Sequence, residues 1–75
     1  MRTFTDNQGK RWQAALLEAS YGNIMLVFSP LQGDGIRQQL LGVENLAEGE
    51  TLFAELDDAG LLAMLDDAEP WNSAS

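Results

Sequence analysis

The sequence predicts an α+β fold: a four-stranded antiparallel β-meander followed by two short C-terminal helices packed on one face of the sheet. Three observations predict it. Runs of β-formers are separated by glycine-bearing turn clusters, at Asp6-Asn7-Gln8-Gly9, Gly22-Asn23 and Gly33-Asp34-Gly35. The composition shifts after Gly42 to Glu, Ala and Leu. All the strand signals precede all the helix signals, the order of an α+β domain rather than of βαβ units.

Phe4 between Thr3 and Thr5 makes Arg2–Thr5 a short first strand, and Gly9 can take the positive φ that the following turn needs. Lys10–Ser20 is ambiguous, because Ala14 through Glu18 are good helix formers. Its position between two hairpin turns favours a strand. Gly22-Asn23 suits a tight turn into the third strand, Asn23–Ser29, which Pro30 ends because it has no N–H to donate. Ile36–Val43 is the fourth strand. Asn45 caps a first helix that runs to Leu56, with Leu46, Phe53 and Leu56 on one side and Gly49 weakening it. Asp57 caps a second helix over Asp58–Ala68, whose apolar stripe is Leu61, Leu62 and Leu65. Pro70 stops it, Trp71 is expected to fold back as an anchor, and 72–75 is a polar tail expected to fray. Residues 1–71 are therefore expected to form one domain.

The run Ile24-Met25-Leu26-Val27-Phe28 does not alternate as a half-buried strand should. Pairing the second and third strands through a two-residue turn at Gly22 divides the hairpin into two sides. One carries Ala15, Leu17, Ala19, Ile24, Leu26 and Phe28; the other carries Trp12, Ala14, Leu16, Glu18, Met25 and Val27. Both are mostly apolar, and two short helices can cover only one. The expectation is that the second side, with Trp12, Ala14, Leu16, Met25 and Val27, packs on another chain, most simply in a twofold homodimer. Helices split across both faces, or cover from Leu31 and the Trp71 segment, would bury it within the monomer instead.

The 75 residues contain no cysteine and no histidine. That removes disulfides, thiolate metal sites, the commonest zinc ligand and the usual general base near neutral pH. Asp57-Asp58 and Asp66-Asp67 stand more than two helical turns apart, so the pairs cannot chelate one ion together. Gly33 and Gly35 belong to no phosphate-loop pattern, and Lys10 is the only lysine available to activate a serine. The expectation is a protein that is not an enzyme and carries no cofactor or metal. Trp12, Tyr21 and Phe28 could form a stacking platform for RNA, but the two-residue turn puts Trp12 and Phe28 on opposite sides.

Net charge is −8, with all four bases (Arg2, Lys10, Arg11, Arg37) in the first 37 residues and nine of the 12 acids after them. An acidic surface repels phosphate backbones, so direct nucleic-acid binding is not expected, while a basic protein partner is possible. The longest apolar run, Ile24–Phe28, is far short of a membrane span, and the N-terminus lacks a signal-peptide core. No membrane contact and a cytoplasmic location are therefore expected. The leading functional reading is a small, non-catalytic interaction or regulatory module that self-associates through the apolar hairpin. The alternatives are an acidic inhibitor or nucleic-acid mimic of a basic protein, and a carrier of a small apolar ligand.

Overall fold

The strands follow one another across the sheet as the turns dictate. The computed structural model describes residues 2–19, 22–33 and 35–70. Within it, β1 (Arg2–Thr5), β2 (Arg11–Glu18), β3 (Ile24–Pro30) and β4 (Arg37–Leu41) form an antiparallel meander. The helices α1 (Leu46–Glu55) and α2 (Asp58–Asp67) come next, and a two-residue β5 (Glu69–Pro70) pairs antiparallel with β4 to give the sheet order β1-β2-β3-β4-β5. This is the expected α+β arrangement with one addition. A two-residue strand ending in proline leaves almost no trace in a sequence, and proline is tolerated because β5 lies at the sheet edge. The expectations for Trp71 and for 72–75 fall outside the described residues.

Asp6 builds the first turn. Its Oδ1 accepts from the backbone N–H of Gln8 at 2.9 Å and of Lys10 at 2.8 Å, and its Oδ2 accepts from the Trp12 indole N–H at 2.9 Å. Its backbone N–H donates to the Lys10 carbonyl at 2.8 Å, and Gly9 takes φ +81°. A short acidic side chain serves here because it can reach back to backbone N–H groups two and four residues on.

β2 is a strand although Ala14–Glu18 favour a helix, since long-range pairing on both sides overrides a weak local preference. Its register corrects the expected division of the hairpin. The Ala19 N–H donates to the Asn23 carbonyl at 2.7 Å, so the strands close between Ala19 and Asn23, with an odd number of residues between them and Gly22 at φ +74°. An odd loop length shifts the pairing by one: Ala14 faces Phe28, Leu16 faces Leu26 and Glu18 faces Ile24. Trp12, Ala14 and Leu16 therefore share a face with Ile24, Leu26 and Phe28. The opposite face carries Gln13, Ala15 and Leu17 with Met25, Val27 and Ser29. Trp12 and Phe28 stand on the same side, not on opposite sides.

Both helices lie on the first of these faces. Phe53 of α1 and Leu61 and Leu65 of α2 join Phe4, Trp12, Ala14, Ile24, Leu26, Phe28 and Leu41 in one core, with Phe4 edge-on to Phe28 at 5.9 Å between ring centroids. The expected N-caps hold: Asn45 Oδ1 accepts from the Glu48 N–H at 2.9 Å, and Asp57 Oδ1 from the Gly60 N–H at 2.8 Å. Neither helix has a base in its last turn, and arginines from the sheet take that place. Arg2 donates to the carbonyls of Phe53, at 3.1 Å, and of Leu56, and lies 3.6 Å from Asp58. Arg37 reaches the Leu65 carbonyl at 3.4 Å. Cations at these sites oppose the negative end of each helix dipole, beside the otherwise unfavourable Asp66 and Asp67.

Candidate interaction surface

With both helices on one side, no described helix covers the outer side of the sheet. The register places Ala15 and Leu17 of β2, Met25 and Val27 of β3, and Gln38 and Leu40 of β4 side by side there. Leu17 is 40% exposed and Leu40 is 60% exposed, while Met25 and Val27, shielded by their neighbours, are half-buried. Ile36, just ahead of β4, is 43% exposed and extends the patch. It lines an open depression of about 380 Å³ together with Ala15, Leu16, Leu17 and Val27.

Charge distribution sets this face apart. Among the described residues, the only charged ones that the register puts on it are Arg11, at the start of β2, and Glu69 on the edge strand. In a chain with 12 acids, that leaves the centre of the outer face neutral. The acids of α1 and α2 are exposed, and Asp67, at the end of α2, shares a depression with Gln38, Leu40 and Glu69 at the β4–β5 edge.

The five residues expected at an interface are not brought together. Trp12, at 5% exposure, and Ala14, fully buried, belong to the core, and Leu16 packs against it. Met25 and Val27 lie on the outer face. The sequence reading missed Leu17, Ile36 and Leu40. The signal was present: Arg11 and Gln13 alternate with Trp12 and Ala14, which marks the odd positions of β2 as outward.

A second groove, of about 370 Å³, runs between the first turn and α2, lined by Asp6, Lys10, Trp12, Gly35, Arg37 and Asp66, among others. Lys10 Nζ sits 4.8 Å and Arg37 Cζ 6.0 Å from the centre of the Trp12 ring. The Asp6 carboxyl is held below the usual carboxylate range, chiefly by the Trp12 indole N–H; desolvation pushes the other way, and the Lys10 and Gln8 N–H groups and the Lys10 charge each lower it further. That carboxylate already serves as the anchor of the hairpin. Among the described residues, no three acids come together where they could hold a metal ion. No described helix is long and apolar enough to cross a membrane. The layer between sheet and helices, where an apolar ligand would have to sit, is occupied by Ile24, Leu26, Phe28 and Leu61, none with exposed area.

Comparison with protein-family models, with curated proteins and with solved structures finds no match to this chain.

Proposed function

We propose that this protein is a small non-catalytic interaction module that self-associates by packing the outer face of its sheet on the same face of a second copy. One observation carries the reading: the uncovered face is apolar and almost free of charge in a chain of net charge −8. A basic partner would be drawn to the carboxylates of the helices, and a nucleic acid would need bases that this face lacks. A second copy of the same neutral surface can approach it while the acids of both chains stay outside. A twofold interface brings the same patch of both chains together, and a neutral apolar patch meets its copy without like-charge repulsion.

The geometry sets the strength. Four strands about 4.8 Å apart, six or so residues long at about 3.3 Å each, make a face of roughly 400 Å² before side-chain relief. Two such faces fall below the ~1,200 Å² at which standard interfaces begin, in the range of weak and reversible complexes. The expected dissociation constant is therefore micromolar or weaker. Sedimentation across a dilution series from about 10 µM to about 1 mM tests this, with the protein passing from monomer to dimer. The paired substitution Val27→Thr with Leu40→Asn keeps net charge and the β-branched shape at 27, and it is expected to leave a monomer throughout. A wild-type chain that stays monomeric over the whole range, or a variant that dimerises equally well, contradicts the reading.

A further inference from the structure

Resting on that reading, we infer that self-association is governed by ionic strength, with salt tightening the dimer. Packing the two outer sheet faces together puts both helical layers on the outside of the assembly. The exposed acids of α1 and α2, Glu50, Glu55 and Asp66 among them, then form two negative layers. Two of the four bases, Arg2 and Arg37, point into the helix ends, which leaves the exposed Lys10 and Arg11 against 12 acids. Sheets pack about 10 Å apart, and a helix layer of similar depth on either side puts the acidic layers roughly 30 Å from each other.

That spacing is what makes salt decisive. The screening length is about 30 Å at 10 mM salt and about 8 Å at 0.15 M. At low ionic strength the layers repel across the whole assembly, each chain carrying −8. At physiological ionic strength the repulsion is screened while the apolar contact is untouched. A complex with a basic protein would show the opposite sign, weakening as salt rises.

Sedimentation equilibrium of the full chain at about 10 mM and about 0.15 M NaCl tests this. The dissociation constant is expected to fall roughly 10-fold or more at the higher salt. The triple substitution Glu50→Gln, Glu55→Gln, Asp66→Asn removes charge on the helical side of the sheet, away from the contact face. It is expected to tighten the dimer at 10 mM and flatten the salt response. A dimer whose affinity is constant or falls with salt overturns the inference and leaves the contact face standing. A triple variant with an unchanged salt response overturns it too, because the effect would then not arise from these charges. A monomer in both salts at all concentrations overturns the inference and the contact face together.

Discussion

Asp6 and Arg2 each fix one junction of the fold through a single side chain. Asp6 ties Gln8, Lys10 and Trp12 into the first hairpin, and those same contacts depress its pKa. A depressed carboxylate stabilises the fold fully above its unfolded value, near 3.8, and that contribution fades as pH falls through the lower folded value. Asp6→Asn is therefore expected to unfold at a lower temperature than the wild type near neutral pH, with the gap closing as the pH drops below the carboxylate range. Thermal melts of both chains across pH check this, and a gap independent of pH contradicts it. Arg2 joins the C-terminal end of α1 to the start of α2 from the edge strand β1. Arg2→Met keeps the apolar stem but removes the donors, so it is expected to cost about 1–2 kcal/mol in denaturant unfolding. The exposed ion pair with Asp58 contributes little of that, and Asp58→Asn is expected to change stability by under about 0.5 kcal/mol.

Among the elements, α1 shows how a locally unfavourable residue is explained by packing. Gly49 lowers helix propensity, yet it is buried against β3, and a Cβ there would come within 2.9 Å of Ile24 Cγ2. Ile24 has no exposed area and nowhere to move. Gly49→Ala is therefore expected to destabilise the protein by about 1–2 kcal/mol instead of gaining the ~1 kcal/mol that an exposed helix site would give. A stabilised variant would show that α1 can lift away from the sheet at little cost. Much else at this scale was readable in advance. Arg2–Thr5 is a strand end to end, and Asn45 and Asp57 cap the helices because their side-chain oxygens reach N–H groups three residues on. The faces of the central hairpin were not. Two-residue and three-residue loops around Gly22 differ by a single residue, yet that residue exchanges the partners of every side chain in β2. With Ile24–Phe28 apolar throughout, β3 gave no contrast to settle the register. The contrast lay in β2, in Arg11 and Gln13.

At the scale of the whole molecule, the described residues form two layers that shelter one face of the sheet and leave the other uncovered. The unbroken apolar run in β3 follows from this: Ile24, Leu26 and Phe28 fill the core, and Met25 and Val27 supply the outer patch. A one-sided domain of this size has a marginal core, and a partner subunit adds stability by mass action. Its unfolding midpoint is accordingly expected to rise with protein concentration, whereas that of the Val27→Thr, Leu40→Asn variant stays constant. The most direct test of the central claim is to follow side-chain methyl resonances by NMR while the protein is diluted from about 1 mM to about 10 µM. Leu17, Val27 and Leu40 are expected to shift with concentration while Ile24, Leu61 and Leu65 stay fixed. Shifts confined to the helices, or no shift at any residue, would contradict it.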